Sequence, residues 1–375
     1  MSIHQSLISP TANPELRRAL SERLQRRAAL AGGLGELEPL AIRLGLIQDS
    51  LTPRFRDPTV ALFVADHGLA VDGLPLMWGR TTKQHADLLL HNRLPCSVLA
   101  RTQGLQLSLI DCGIAEEMPP NPRLQSRKIA HGTRNSRLGP AMSLEHAHAA
   151  VRVGMEIADK FTGNVLVCAG LGQGAFEAGA LVMSRLCDLP VKDFIVSGPD
   201  MRQDQLDPLL GLLLACQARH REAVDPMDVL AAFGGFETAV MVGAMLVAAS
   251  KRHLIVVDGL PACAALKAAS MIAAPVTDYA VFCRSHTHHG IDQALAQFHA
   301  AALLELGLDA ADGCGALLAW PMLRAAAAML TDLHDSADTL MPPPPPPAVR
   351  VSGPGRLSSR PGLLGMPGTA GDTES

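Results

Sequence analysis

Aromatic side chains are scarce in this chain: two Trp, one Tyr and nine Phe make up 3 % of its 375 residues. The hydrophobic share is nonetheless 48 %, with Ala and Leu supplying most of it. That balance favours many helices packed through small residues over a β-sandwich. A charge excess of one sign is also missing. Net charge is −4 with both signs spread along the sequence, and no basic cluster with interleaved aromatics marks a nucleic-acid surface. No apolar run is long enough to cross a bilayer. The longest, Thr238 to Ser250, follows Glu237 and stops at Lys251-Arg252, as a buried helix would. The N-terminal MSIHQSLISPTANPELRRAL has no apolar signal core. The eight cysteines contain no C-x-x-C pair and read as reduced core thiols of a cytoplasmic protein, not as a disulfide framework. G-x-G-x-x-G, G-K-[ST] and H-E-x-x-H are absent as well. These gaps leave a soluble α/β protein, as one large domain or two unequal ones, with no membrane or nucleic-acid partner.

What is present follows a regular grammar. Residues 14 to 31 and Glu36 to Ile47 have helical periods, broken by Gly32-Gly33-Leu34-Gly35. Short apolar runs then end, one after another, in Gly or a polar group. Thr59 to Ala65 ends in Asp66-His67-Gly68, Leu105 to Ile110 in Asp111-Cys112-Gly113, and Asn164 to Cys168 in Ala169-Gly170-Leu171-Gly172-Gln173-Gly174. Phe194 to Val196 ends in Ser197-Gly198-Pro199-Asp200, Leu254 to Val257 in Asp258-Gly259, and Tyr279 to Cys283 in Arg284-Ser285-His286. With helical stretches between most of them, these runs predict a mainly parallel sheet of about six strands, with ligand groups at its carboxyl edge. After Asp338 the six prolines Pro342 to Pro347 and a Gly/Ser/Pro/Arg stretch predict a disordered tail over 339–375.

Several strand ends carry chemistry. Near the C-terminus Leu303 to Ala316 reads LLELGLDAADGCGA. Asp312 precedes Gly313, Cys314 and Gly315, where glycines bring backbone N–H groups close to a ligand and a carboxylate can take its proton. A polar loop capping a helix near Ala316 is the plainer use of the same residues. Gly170 to Gly174, between a strand and a helix over Ala175 to Leu186, suits a phosphate or tight strand-to-helix packing equally. Asp66-His67 suits acid–base work or a strand-end bond to the next loop. Glu237 suits a helix start, and Asp258-Gly259 a turn. His286, His288 and His289 have no standard zinc spacing and read as solvated or phosphate-facing.

Taken together and in order, the motifs resemble those of the nicotinate-nucleotide:dimethylbenzimidazole phosphoribosyltransferases, from about Gly32 to Leu333. Gly32-Gly33-Leu34-Gly35-Glu36-Leu37-Glu38 resembles G-S-L-G-x-L-E, and Ala65-Asp66-His67-Gly68 resembles A-D-H-G. Thr82-Lys83-Gln84 is similar to a T-x-Q bordering the base pocket. Asp111-Cys112-Gly113 is similar to D-x-G, and Gly132-Thr133-Arg134-Asn135 with Ala141-Met142 to G-T-x-N…A-M. Gly234-Gly235-Phe236-Glu237, Val257-Asp258-Gly259 and Asp312-Gly313-Cys314-Gly315-Ala316 resemble G-G-x-E, V-D-G and E-G-[ST]-G-A. The resemblance implies a Rossmann-like α/β domain over 51–300. It adds a small helical domain from residues 1–50 and 301–338, and a homodimer, with a heterodimer with a paralogue as the alternative. It implies phosphoribosyl transfer from nicotinate mononucleotide to 5,6-dimethylbenzimidazole or a related azole, with no cofactor and no metal. Asp312 would be the base. Gln84, Asp66, Glu237, Asp258 and Cys314 would border the substrates, and Gly172, Gly174, Gly313 and Gly315 would give N–H groups to the phosphate.

The chain departs from that pattern at several positions. Asp312 is one methylene shorter than the family's Glu, and Asp309 replaces an Arg. The phosphate loop G-E-M-G-I-G-N-T-T falls on Ala169 to Glu177, where Glu becomes Gly170 and N-T-T becomes Ala175-Phe176-Glu177. S-x-E-x-G-H becomes His286-Thr287-His288-His289-Gly290-Ile291, with His in place of Glu, and a Lys-Pro becomes Ala29-Leu30. Two readings stand: an enzyme with Asp312 as base, or a non-catalytic relative that binds a nucleotide or azole.

Overall fold

Short runs of buried residues and one edge strand build a six-stranded parallel sheet in the computed structural model, which describes residues 7–31, 33–195, 203–287 and 289–332. In chain order the elements are helices α1 (Pro14–Ala31) and α2 (Leu37–Gln48), strand β1 (Thr59–Ala65), helices α3 (Thr82–Leu90) and α4 (Pro95–Thr102), then strands β2 (Gln106–Gly113) and β3 (Leu124–Ser126). Helix α5 (Leu144–Asp159), strand β4 (Val165–Leu171) and helices α6 (Ala175–Cys187), α7 (Lys192–Ile195), α8 (Gln203–Arg219), α9 (Pro226–Phe233) and α10 (Phe236–Ser250) follow. Strand β5 (Leu254–Asp258), helix α11 (Leu260–Ile272), strand β6 (Ala280–Cys283) and helices α12 (His289–Ala296) and α13 (Cys314–Thr331) complete them.

The strand order is β3-β2-β1-β4-β5-β6. Every residue of β1, β4, β5 and β6 is buried, which is why these strands read as unbroken apolar runs: helices cover both faces. The chain builds outward from β1 in one direction through β2 and β3, then returns to β1's other side for β4. That reversal opens a crevice beyond the carboxyl ends of β1 and β4.

One predicted strand is wrong. Phe194 and Ile195 belong to the single helical turn of α7, where both are buried. Three apolar residues are too short a run to separate strand from turn. Val196 and Ser197 to Asp200 lie outside the described residues. The sixth strand is instead β3, an edge strand with no buried residue. Its pairing with β2 places Leu124 beside Leu109, and the Gln125 side chain donates to Ser108 Oγ at 2.8 Å. A half-buried three-residue edge carries no periodicity to read.

Helices α1, α2 and α13 pack on one another. Arg252, in the turn before β5, donates to Leu46 O at 2.6 Å and Ile47 O at 3.0 Å, satisfying carbonyls at the end of α2. Helix α13 is the described helix long and apolar enough to cross a membrane, with a mean hydropathy of 1.3. It packs instead on α2, α4 and β5, burying Leu317, Trp320 and Leu323. The proline-rich 339–375 lies outside the described residues.

Candidate active site

The site is assembled where β5 and β6 stop and α13 begins. Asp258, the last residue of β5, has no solvent exposure. Its Oδ2 accepts three hydrogen bonds: from the N–H groups of Gly313 (3.0 Å) and Ala316 (2.8 Å) and from the Ser285 hydroxyl (2.9 Å). Ser285 Oγ in turn accepts from the Gly315 N–H at 2.8 Å. Two strand ends thus supply the caps that α13 lacks in its own sequence, with an anion at the positive end of the helix. Burial, and then the nearby Asp312 carboxylate, push the Asp258 carboxyl up to about 6, against the pull of the Ala316 N–H, the Ser285 hydroxyl and His286.

This anchoring presents Asp312, the residue before Gly313. A Cβ built on Gly259 would overlap the Asp312 carboxylate, and Gly259 has φ of +92°. Only glycine suits both demands, so Val257-Asp258-Gly259 holds the loop by its Asp and makes room for it by its Gly. His286 Nε2 lies 3.3 Å from Asp312 Oδ1, and its Nδ1 lies 3.2 Å from Asp309 Oδ1. The backbone fixes this pairing: Thr287 N–H donates to Leu308 O and Ala310 N–H to Ser285 O, both at 3.0 Å. Trp78 stacks over the His286 ring at 6.2 Å with a 15° tilt. Burial opposes charge on His286, but Asp312 and Asp309 outweigh it and raise the imidazole to about 9. At neutral pH it is an imidazolium between two carboxylates.

Asp312 and His286 are the polar wall of a cavity of about 200 Å³. Met77, Trp78, Phe176, Leu260, Pro261 and Ile291 supply apolar wall, and Gly170, Leu171, Gly172 and Ala175 form the end at the β4–α6 turn. Gly172 packs so tightly on Ala65 that a Cβ would overlap its carbonyl oxygen, which brings the turn against the end of β1. Gly174, at φ +87°, precedes the first turn of α6, a place where backbone N–H groups attract anions. Some donors are already used: Gln173 N–H donates to Thr82 Oγ1 at 2.9 Å. Glu177 places a carboxylate in that same turn, against its own N–H. Burial pushes this carboxyl up, while its N–H and His67 draw it down.

A second acidic cluster lies apart from the cavity wall. His67 Nε2 meets Glu237 Oε1 at 3.1 Å, both buried, and the Thr238 hydroxyl donates to the same oxygen at 2.9 Å. Burial disfavours charge on His67, but Glu237, Asp66 and Glu177 together raise its pKa above the ordinary imidazole value. Glu237 therefore works as a buried partner at the start of α10.

The predicted residues thus separate. Asp312 and Gly172 line the cavity, and Gly174 is next to it. Asp258, Gly313 and Gly315 stand behind it. The N–H groups of Gly313 and Gly315, expected to face a phosphate, donate in this structure to Asp258 and Ser285. Cys314 is buried with its free thiol hydrogen-bonded to that of Cys96, whose own pKa that contact and burial raise. Asp66 Oδ2 accepts from Ala115 N–H at 2.7 Å, ordering the loop after β2. Gln84 completes the capping box of α3, accepting from Thr81 N–H at 3.0 Å, and borders a neighbouring groove with Asp87 and His91. Of the three histidines, His288 lies outside the described residues and His289 faces Asp292 at 3.8 Å. Among the described residues no three His, Cys, Asp or Glu side chains gather as metal ligands. Sequence reasoning missed Ser285 as the loop's second anchor, although it sits at a marked strand end. It also missed Trp78 and Pro261 as cavity walls, and these carry no motif.

A family model described as phosphoribosyltransferase matches residues 9–340. Nicotinate-nucleotide–dimethylbenzimidazole phosphoribosyltransferase of Cupriavidus taiwanensis is 39 % identical, covering 86 % of this chain and 94 % of its own. The protein of that name from Variovorax paradoxus is 36 % identical, covering 87 % and 93 %. The crystal structure of the enzyme of that name from Thermus thermophilus superposes with a TM-score of 0.80 at 27 % identity, over 88 % of this chain and 98 % of that one. Matched along its described length in sequence and in fold, the chain belongs to the nicotinate-nucleotide–dimethylbenzimidazole phosphoribosyltransferase family.

Proposed function

We propose that the chain transfers phosphoribose from nicotinate mononucleotide to 5,6-dimethylbenzimidazole or a related azole, giving α-ribazole 5′-phosphate and nicotinate for the lower ligand of cobalamin. The observation that carries this reading is the Asp312 carboxylate in the wall of an apolar cavity whose far end is the β4–α6 turn. A flat azole suits the apolar walls, and the first turn of α6 suits the phosphate. The azole nitrogen attacks the anomeric carbon, the bond to the pyridine nitrogen breaks, and its electron pair returns to nicotinate. The azole's N–H proton passes to Asp312. Nicotinate leaves as a neutral pyridine ring, so a carboxylate base and correct positioning suffice.

Purified protein given both substrates should release nicotinate, and Asp312→Ala should lower kcat by about 10²- to 10⁴-fold. No release by the unsubstituted chain overturns the reading. One observation favours a second reading, a non-catalytic relative that binds a nucleotide: Glu177 puts an anion in the helix turn that the phosphate would use. Stabilisation of the fold by the mononucleotide without turnover would select it. The same proposal includes a homodimer in the cytoplasm, supported for the compartment by eight unpaired cysteines. Light scattering of the purified chain tests the assembly.

A further inference from the structure

A phosphoribosyl group leaving a pyridine can be captured by water as well as by an azole, and a carboxylate base can take the proton of either. The site therefore needs a means of favouring the azole. Trp78 stands where that choice is made. It is part of the cavity wall, and its ring stacks on His286, whose Nε2 lies 3.3 Å from Asp312. His85 meets the same indole at 5.4 Å with a 52° tilt. Trp78 is also 42 % exposed, so it meets solvent as well as the cavity and stands at the mouth beside the base. The backbone that holds it is unusual. Trp78 and Gly79 are the central residues of a turn closed by Arg80 N–H donating to Met77 O at 3.1 Å, with φ of +47° and +70°. Such a turn ordinarily takes Asn or Gly in both places, and a bulky side chain at positive φ is an outlier. The turn itself would be better served by asparagine, so the strain is kept for the sake of the indole.

Resting on the proposed phosphoribosyl transfer, we propose that Trp78 sets the choice of acceptor: its indole stacks on the bound azole, holds the azole N–H towards Asp312 and keeps water from the anomeric carbon. Both outcomes balance. In transfer, the azole nitrogen bonds to the anomeric carbon, the azole N–H proton goes to Asp312, and nicotinate leaves with the electron pair of the broken bond. In hydrolysis, the oxygen of water forms that bond instead, nicotinate leaves in the same way, and the water's proton goes to Asp312, giving ribose 5-phosphate. The same base and the same leaving group serve both reactions. What separates them is whether a ring or water occupies the cavity beside Trp78. The β4–α6 turn that suits the phosphate forms the far end of the cavity, so binding of the mononucleotide is separable from Trp78.

The test quantifies nicotinate, α-ribazole 5′-phosphate and ribose 5-phosphate together for the full chain, Trp78→Asn and Trp78→Phe, with the azole held below its KM. Asparagine suits the turn, so Trp78→Asn removes the ring while relieving the backbone. Loss of an aromatic stack weakens a bound base by about tenfold or more, so Trp78→Asn should raise the KM of the azole about tenfold, with the KM of the mononucleotide within about twofold. The ratio of ribose 5-phosphate to α-ribazole 5′-phosphate should rise by the same factor, because water and the azole compete for one carbon. Trp78→Phe keeps a smaller aromatic face and should raise both quantities only about threefold. Should Trp78→Asn fail to fold, Trp78→Leu, apolar but not aromatic, carries the same expectation. The product ratio does not depend on how much of a preparation is folded, so a merely structural role would not move it. An unchanged ratio in the non-aromatic variant, or a rise in Trp78→Phe as large as in that variant, overturns the role of Trp78 and leaves the transferase reading standing. No turnover by the parent overturns both.

Discussion

Replacing Asp258 should separate two things that this side chain does at once. Its Oδ2 receives three donors, so Asp258→Ala strands the Gly313 and Ala316 N–H groups in a buried place. Breaking such a network costs about 3–5 kcal/mol. Asp258→Asn keeps an acceptor oxygen there and removes only the charge. That charge is itself costly, because burial and Asp312 raise the folded carboxyl to about 6. A carboxyl raised in the folded state contributes stability at low pH and loses it as the pH climbs through its folded value. Each tenfold change in a group's proton affinity on folding is worth about 1.4 kcal/mol, so the parent loses about 1 kcal/mol relative to Asp258→Asn between about pH 5 and about pH 7.5. Urea unfolding of the parent and both variants at the two pH values measures this. The asparagine variant should gain on the parent at the higher pH, and the alanine variant should be the least stable at both. An asparagine-minus-parent difference that does not change with pH, or an alanine variant as stable as the asparagine one, would refute the reasoning.

The other perturbations act on the cavity's edges. Gly259→Ala adds a Cβ where the Asp312 carboxylate rests, at a positive φ. It should lower kcat about 100-fold while costing about 1–2 kcal/mol of stability; nicotinate release read beside a melting curve checks it, and intact kcat would mean Asp312 is not placed by Gly259. Glu177→Gln removes an anion from the first turn of α6 and should lower the KM of the mononucleotide by about threefold to tenfold; an unchanged KM in initial-rate assays would place the phosphate elsewhere. His67→Ala leaves Glu237 buried with the Thr238 hydroxyl but without its imidazole partner. It should cost about 3–5 kcal/mol in urea unfolding, and a loss under about 1 kcal/mol would show that the pair is not held as an ion pair.

The strands were legible where burial on both faces leaves an unbroken apolar run, as in Thr59–Ala65 and Leu254–Asp258. They were illegible where that cause is absent. Strand β3 is a half-buried edge of three residues, and α7 is one turn with two buried residues in a row, so neither has a period to detect. The site divides in the same way. Asp312 beside Gly313 announces a ligand-facing carboxylate because the motif is local. The jobs of Gly313 and Gly315 are set by Asp258 and Ser285, 55 and 30 residues away in sequence, and no local pattern says whether an N–H is free. Gln84 shows the same limit: its oxygen is used by Thr81, three residues back.

Along the sequence, Asp for Glu at 312, Asp for Arg at 309 and the histidines after Ser285 look like three independent losses. In space two of them meet the third. Asp312 and Asp309 each lie within hydrogen-bonding reach of the one imidazole of His286. An imidazolium between two carboxylates is stable only if both are there, and an arginine at 309 would set a like charge against it. The reversal at 309 and the histidine at 286 therefore make one change: a cation moves from the loop to the opposite wall, and the loop turns acidic to hold it. Decay of an unused site has no reason to keep charges paired, whereas a site that still holds the Asp312 carboxylate in place does. Restoring only one part should for that reason do harm. Asp309→Arg alone should abolish most turnover and lower the pKa of His286, which NMR titration of its ring would show, and a rise in activity would refute the coupling.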